Sequence, residues 1–589
     1  MPRFPVIRSL LALGVLLCAL PAAAVLAPIS LDGDFTDWSA LAPLADDAGD
    51  DTGPVDWGRI WAANDENFLY LRFETGAEVQ PDEQQNMRLY LDTDMNAGTG
   101  TSYGGIGADL VWEFGWRQGD FRGTYVEHAD VGLLMAPTVS STEFEIALSR
   151  SALPNGSTPL FPGNQVRFLL RDMDSGDVAP STGAAVYTFA AGSEPVPSLT
   201  LARWDPSHLR IATWNIQNDG LFDGGSAEAA QNRILDAIDP DVLMINEAWN
   251  HSASQVATQI GVLLPGTAWN AVKLDGGNVI VSRFPIQQSW EIDPGYRLTA
   301  ALLDLGAEQE KDLLVIACHW RCCTADADRQ NEADAVIGFL RDARAAGGVI
   351  TLPEGTPVVL AGDLNLVGWR QQLLTLLTGD IQDEATYGPD AAPDWDGSDF
   401  SVPPSRHPDL RANYTWRNDF SDFYPGLLDW ICYTGSALEL HNHMVLETRT
   451  MTSANLALHG LQRYDVTDAG DHAPRYADFT LAGPVSDVPQ LAAAAADLLP
   501  ASPNPFNPST RLRFRLERPA AVELQVFDAR GRQVRRFPPQ TYAPGEHAAV
   551  WDGRDDAGRA LGSGVFLVRM TARTDAGETT STGSVTLVE

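Results

Sequence analysis

The chain has 589 residues, a formal net charge of −38, and 44% hydrophobic and 20% charged residues. That length exceeds what one core usually serves and calls for about three or four domains. With Lys273 and Lys311 as the sole lysines, no broad polybasic stripe exists, which argues against tight non-specific duplex binding through phosphate neutralisation without excluding a nuclease.

Residues 1–24 read as a signal peptide. Arg3 and Arg8 precede an apolar run from Leu10 to Leu20, and Ala22-Ala23-Ala24 offers a cleavage site. The run is too short to span a bilayer as a helix. Leu17 before Cys18 argues against a lipid anchor, so the expectation is a secreted or cell-surface protein without a transmembrane segment.

Residues 28–200 are rich in Gly, Asp and aromatics, with alternating apolar runs. Leu69–Phe73, Met87–Leu91, Phe144–Leu148 and Val166–Leu170 read as strands, and the expected architecture is a β-sandwich. Residues 207–480 alternate differently. Strands are expected at Leu209–Trp214, Val242–Ile245, Val279–Val281, Leu313–Ala317 and Val358–Leu360, with helices near Ala227–Ile238 and Asp328–Ala345. This order indicates a layered α/β domain. Residues 481–500 carry no strand signal and read as a linker. Residues 501–589 return to short strands, with Asp528-Ala529-Arg530-Gly531 as a turn, and read as an Ig-like β-sandwich.

The chemistry lies in the middle segment, at the C-terminal ends of predicted strands, where open α/β sheets place ligands. Asn215, Glu247, His319, Asp363 and Asn365 each follow a strand; Asp429 follows Gly426-Leu427-Leu428, and Asp471-His472 precede Ala473-Pro474. A hard cation such as Mg2+ or Mn2+ takes carboxylate and amide oxygens, and Asn215, Glu247 and Asp471 supply them. His472 is the candidate base, oriented by Asp429. Asp363 can hold the attacking water, Asn365 can donate to a phosphoryl oxygen, and His319 to developing negative charge. Arg321 and Arg411 are candidate substrate-binding cations, and Arg406 and Arg417 flank the same stretch as Arg411.

These segments resemble the endonuclease/exonuclease/phosphatase superfamily. The likeness rests on Thr213-Trp214-Asn215, Asn246-Glu247, Ser282-Arg283-Phe284-Pro285, Gly362-Asp363-Leu364-Asn365, Leu428-Asp429-Trp430 and Gly470-Asp471-His472-Ala473-Pro474, in family order. The resemblance implies a four-layer α/β/β/α sandwich with the site at one end of two packed sheets, and a metal-dependent phosphoesterase. Gly470 replaces the usual Ser before the final Asp-His pair. The substrate stays open between nucleic acid and a lipid or sugar phosphate, with a non-catalytic adhesion protein as the reading from another class.

Two further resemblances flank this domain. Asp32–Trp38, Asn64–Tyr70 and Leu91–Asn96 resemble family 9 carbohydrate-binding modules and DOMON-like domains, implying contact with glycan or a cell surface. There Asp92, Asp94 and Asn96 resemble a calcium loop, with a plain hairpin loop as the alternative. Residues from Ser502 to Pro508, from Trp551 to Asp555 and from Leu561 to Phe566 resemble the Ig-like domain of flagellar hook-capping proteins, implying a sorting or attachment role. Of the four cysteines after the leader, Cys322 or Cys323 is expected to pair with Cys432, because an exported chain favours disulfides and a vicinal Cys322–Cys323 bond is strained.

Overall fold

The computed structural model describes residues 26–589 apart from 51–52, 54, 81–85, 307–310, 483–495 and, near the C-terminus, 503, 505, 517–518, 528–531, 544, 557, 575–576 and 588–589. The expected signal peptide, most of the expected 481–500 linker and the expected turn at 528–531 lie outside the described residues. The chain forms two compact units divided between Gly483 and Pro484. Among the described residues no helix is long and apolar enough to cross a membrane.

The N-terminal region holds two antiparallel sheets. In the first, Phe68–Val79 runs between Arg59–Asn64 and Ser141–Ser149, with Leu134–Ala136 at one edge and Ala45–Asp46 at the other. In the second, Met87–Asp92 is central, flanked by Gln165–Asp172 and Leu110–Glu113. Alternate residues of each strand turn inward. Leu71, Phe73 and Phe144 of one sheet thus share a core with Leu89, Trp112 and Phe168 of the other.

The central domain is built on a six-stranded and a five-stranded sheet. The first has the order Asn270–Val272, Val279–Ser282, Val242–Asn246, Leu209–Asn215, Arg475–Leu481, Leu438–Val445. The second has the order Ile286–Glu291, Leu298–Leu303, Leu313–His319, Val358–Asp363, Asp429–Tyr433. Ile211, Met244 and Ile280 of the first sheet pack on Val315, Val359 and Ile431 of the second. The opposite face of the six-stranded sheet buries Ala230, Ile234 and Ile260 from helices Gly225–Ile238 and Ala253–Leu263. That of the five-stranded sheet buries Val336, Phe339 and Leu376 from helices Asp326–Arg344 and Arg370–Thr378. Strands that are covered on both faces are apolar at every position, as the runs Val242–Ile245 and Leu313–Ala317 are.

Each sheet contains one parallel pair, Leu209–Asn215 with Val242–Asn246 and Leu313–His319 with Val358–Asp363. Parallel partners end on the same side, so Asn215 and Glu247 emerge together, as do His319 and Asp363. His319 is in register with Asp363, which is in register with Asp429 on the antiparallel strand beyond. At this end Asn246 joins the sheets. Its Nδ2 donates to the Cys318 carbonyl (2.8 Å) and its Oδ1 accepts from the Asp363 N–H (2.9 Å).

The N-terminal region and the central domain belong to one compact unit. Tyr424 of the central domain inserts into the N-terminal core. There Trp112 Nε1 donates to its hydroxyl (3.0 Å), which donates on to the Phe114 carbonyl (3.3 Å). Thr138 Oγ1 donates to the Leu366 carbonyl at 2.6 Å, beside the site-bearing segment.

The second unit has a three-stranded sheet, Ala496–Ser502, Thr510–Leu516, Gly545–Trp551, and a four-stranded one, Gln533–Tyr542, Ala520–Phe527, Gly564–Thr574, Gly577–Leu587. Trp551, Phe514, Val526 and Met570 fill the core between them. The expectation of no strand in 481–500 is corrected at both ends, since one strand runs to Leu481 and another starts at Ala496. The strand reads Ala-Asp-Leu-Leu-Pro-Ala-Ser, which has no period-two apolar pattern, and the pairing of Leu498 with Phe514 comes from tertiary contact.

Candidate active site

At the shared end of the two sheets lies a cavity of about 440 Å³ lined by Glu247, His319, Asp363, Asn365, Asp471 and His472, together with Trp249, Arg297, Trp416 and the N-terminal region's Met135 and Thr138. His472 is almost fully buried. Its Nδ1 donates to Asp429 Oδ2 at 2.7 Å, and its Nε2 stands 3.8 Å from Asp363 Oδ2. Thr415 Oγ1 accepts from the Asp429 N–H at 2.8 Å, which fixes the strand that carries the carboxylate. His319 approaches from the other side, with Nε2 3.8 Å from Asp363 Oδ2 and 4.0 Å from Glu247 Oε1.

Asn215 bridges the carboxylates. Its Nδ2 donates to Glu247 Oε1 (3.1 Å) and Asp363 Oδ2 (3.0 Å), while its Oδ1 accepts from the Gln217 N–H (3.0 Å). Its oxygen therefore faces the Gln217 turn, and a ligand role for Asn215 needs the amide turned over; the N and O positions follow from the network. Asn365 donates to the Trp320 carbonyl (3.1 Å), and its N–H to Asp363 Oδ1 (3.0 Å), so it braces Asp363 from behind. Asp471 Oδ2 accepts from Trp416 Nε1 at 3.0 Å. The backbone is strained at both ends of the site, with Glu247 at φ 65° and Asn365 at φ 46°. Gly362 has no alternative, since a Cβ there would overlap the Cys318 carbonyl oxygen.

The electrostatics follow from this crowding. Burial pushes the Asp363 carboxyl up; His472 pulls it down and Asp429 pushes it up again. Burial works against a charged His472, but the Asp429 carboxylate outweighs it and raises the imidazole well above its ordinary value. His319 is lowered well below 6.5, by burial first and by the Arg297 charge second, so its ring is neutral. Glu247 and Asp471 offer carboxylate oxygens to the cavity, and the surplus of carboxylate over cation around it favours a bound cation. That donor chemistry fits a hard divalent ion held by Glu247, with Asp471 across the cavity.

The structure does not bring every candidate to the site. Arg411 is buried elsewhere, donating to the carbonyls of Glu194 and Pro195 (3.1 Å each), so it fastens the segment after the N-terminal sheets and does not reach substrate. Arg406 likewise holds backbone carbonyls, including that of Pro197, and Arg417 pairs with Asp419. Arg321 is exposed, with Nη2 on the Gly295 carbonyl (3.1 Å), outside the cavity lining. The guanidinium that does line it is Arg297, which donates to the carbonyls of His319 (2.8 Å) and Trp320 (3.0 Å) and lies 5.5 Å from the Trp249 ring centroid. Arg297 precedes a strand with no motif around it, so only its proximity in space marks it.

The expected disulfide is also corrected. Cys432 is buried in a core strand, whereas Cys322 and Cys323 are exposed at the cavity mouth, and all four cysteines are free. The Cys322 and Cys323 Sγ atoms lie 2.8 Å apart. In the calcium-like loop, Asp92 receives Arg167 Nε (2.8 Å), Asp94 receives Arg122 Nη2 (2.8 Å), and Asn96 Oδ1 accepts from the Gly98 N–H (3.0 Å). The third carboxylate near Asp92 and Asp94 is Asp109, which Arg122 also contacts.

Residues 212–472 match the Endonuclease/Exonuclease/phosphatase family, and residues 503–576 match the FlgD Ig-like domain. The chain therefore carries a central domain of the first type and a C-terminal domain of the second. Comparison with curated proteins gives no match. Among solved structures the chain is similar to D. rerio TDP2 complexed with single strand DNA product, at 17% identity over 46% of this chain and 99% of that one, TM-score 0.30. It is also similar to truncated Caenorhabditis elegans TDP2, at 16% identity over 47% and 99%, TM-score 0.31. A third is the 3'-5' exonuclease NExo from Neisseria meningitidis, at 19% identity over 46% and 99%, TM-score 0.28.

Proposed function

We propose that the central domain is a divalent-metal-dependent phosphoester hydrolase acting on phosphodiesters by in-line attack of water. The observation that carries this reading is the Asp429–His472 pair, whose free Nε2 faces Asp363 across from Glu247. Asp429 fixes the tautomer, leaving Nε2 to take a proton from water held against Asp363. Neutral His319 donates through Nε2 to a phosphoryl oxygen, and Arg297 adds positive charge at the wall. When bound at Glu247, Mg2+ or Mn2+ offsets the phosphate charge and weakens the carboxylate field that keeps His472 protonated. Asn215 holds Glu247 and Asp363 apart at the spacing this needs.

The cavity is walled by Trp249, Trp416, Phe423 and Met135, with Arg297 as the guanidinium among the lining residues. Such a pocket suits a chain end or a flexible single strand, whose base stacks on an aromatic ring, better than a continuous duplex. The same apolar wall favours a second reading, a lipid or sugar phosphate. Purified protein with Mg2+ or Mn2+ is to be assayed on bis-p-nitrophenyl phosphate, single-stranded and duplex oligonucleotides, and sphingomyelin. Turnover that is lost in EDTA and in His472→Ala supports the reading, while activity that survives EDTA removes the metal from it. Inertness on every phosphoester would favour the adhesion alternative.

The flanking regions complete the proposal. The leader-like residues 1–24 and the C-terminal Ig-like domain support an exported protein, released or held at the cell surface, with the N-terminal region as a sandwich that contacts glycan. Determining the N-terminal residue of the mature protein and its distribution between medium and cells tests export; glycan-array binding of the full chain tests the contact.

A further inference from the structure

The N-terminal region holds a second acidic cluster away from the cavity, and the two clusters differ in how their charge is met. One oxygen from each of Asp47, Asp50 and Asp177 lies within 4.8 Å of the other two. An ion bonded at about 2.4 Å spans oxygens up to about that distance apart, which is the range Ca2+ takes from carboxylates. Asp47 and Asp177 are both more than nine-tenths buried. Asp47 Oδ1 accepts from the Ser181 N–H at 2.8 Å, but its Oδ2 is buried without a hydrogen-bond partner. Asp177 Oδ2 accepts from the Trp57 N–H at 2.8 Å. Among the described residues no Arg, Lys or His pairs with Asp47 or Asp177.

The cluster of Asp92, Asp94 and Asp109 has the same spacing, and Asp92 Oδ1 is likewise buried without a hydrogen-bond partner, but there every carboxylate meets an arginine, Arg167 on Asp92 and Arg122 on the other two. Burying a carboxylate is costly unless it is paired or coordinates a metal. At Asp47 and Asp177 no cation among the described residues takes the charge, and the carboxylates stand close enough to repel.

We propose that Asp47, Asp50 and Asp177 form a Ca2+ site. The donors come from two places far apart in sequence, the loop after the strand Ala45–Asp46 and the turn between Gln165–Asp172 and Val178–Ala179. The ion ties an edge of the first sheet to the second, closing that end of the N-terminal core beside Trp57. Carboxylate donors on loops, with backbone carbonyls and water for the remaining positions, suit the flexible coordination of Ca2+ better than the strict octahedron of Mg2+.

The test uses the full chain, stripped with chelator and kept in excess Mg2+ to saturate the catalytic centre. Calorimetric titration with CaCl2 is expected to give one site with a Kd at or below about 1 mM, and Ca2+ is expected to raise the melting temperature. Tb3+ is expected to replace Ca2+ and luminesce on tryptophan excitation, because Trp57 adjoins Asp177. Asp47→Asn is expected to weaken Ca2+ binding at least about tenfold and to abolish the melting shift, with phosphoesterase turnover unchanged. Asp50→Asn, at an exposed position, gives the same loss without risk to folding, and Asp94→Asn leaves binding intact. Absence of Ca2+ binding in the wild type overturns the site. So does wild-type affinity in both Asp47→Asn and Asp50→Asn, or loss confined to Asp94→Asn.

Discussion

Asp363 answers to more partners than any other residue of the site. Its N–H is held by Asn246, its Oδ1 by the Asn365 N–H and its Oδ2 by Asn215, so its orientation is set before any substrate arrives. Asp429 is held less tightly, with Oδ2 on His472 and Oδ1 buried and unpartnered. Asp429→Asn keeps the shape and removes the charge that selects the His472 tautomer. Turnover is expected to fall by roughly 10²- to 10⁴-fold with a small change in KM, checked by steady-state kinetics on bis-p-nitrophenyl phosphate. Arg297→Met removes two charged hydrogen bonds to the segment carrying His319. Such bonds are worth about 1.5–3 kcal/mol, so kcat/KM should fall roughly tenfold to a hundredfold. The polar residues at strand ends were legible in the sequence because their types and order carry chemistry. Arg297 was not, and Arg411 misled, because a guanidinium that holds backbone carbonyls and one that faces substrate look alike until the chain is folded.

At the scale of elements, the two sheets meet around a polar clip. Asn246→Ala leaves the buried Asp363 N–H and Cys318 carbonyl without partners. The cost is about 2–4 kcal/mol, read as a lower denaturant midpoint at unchanged slope. The segment 403–415 that carries Thr415 has a different dependence. His407 is fully buried, its Nε2 donates to the Tyr414 carbonyl at 2.8 Å, and burial lowers its pKa to about 4. The unfolded chain has a histidine pKa of about 6.5. Between these values the unfolded state binds the proton and the folded state does not, so stability is full above about 6.5 and drains away as pH falls toward 4. From pH 7 to 4.5 the wild type should lose about 2 kcal/mol more than His407→Gln, whose amide nitrogen takes the place of Nε2. Denaturant melts of both proteins at the two pH values measure the difference, and an equal loss in both removes His407 as the cause. The strands and long helices were readable from apolar runs and helical spacing, to within a few residues at each end. The strand starting at Ala496 was not, since its identity depends on pairing with Thr510–Leu516 and not on its own pattern.

Across the whole first unit, the N-terminal region is part of the catalytic architecture. Met135 and Thr138 line the cavity, and Tyr424 leaves the central domain to pack against Trp112 and Phe114 in the other core. No sequence pattern announces this, because an aromatic residue in a loop reads the same whether it faces solvent or a neighbouring core. Tyr424→Ala should therefore act on stability and selectivity together. Losing a buried aromatic costs about 3–5 kcal/mol, and here the loss falls at the junction, so calorimetry of the variant should show the N-terminal region and the central domain melting separately where the wild type is expected to melt as one. Tyr424→Phe keeps the packing and drops only the hydroxyl, so it should lose about 1 kcal/mol and stay cooperative. The wall that Tyr424 and Phe423 build beside His472 should also retreat in the alanine variant. Activity on duplex oligonucleotides should then rise relative to bis-p-nitrophenyl phosphate, a substrate small enough to enter either cavity. A fixed activity ratio would mean that the N-terminal region stabilises the central domain without shaping what reaches His472.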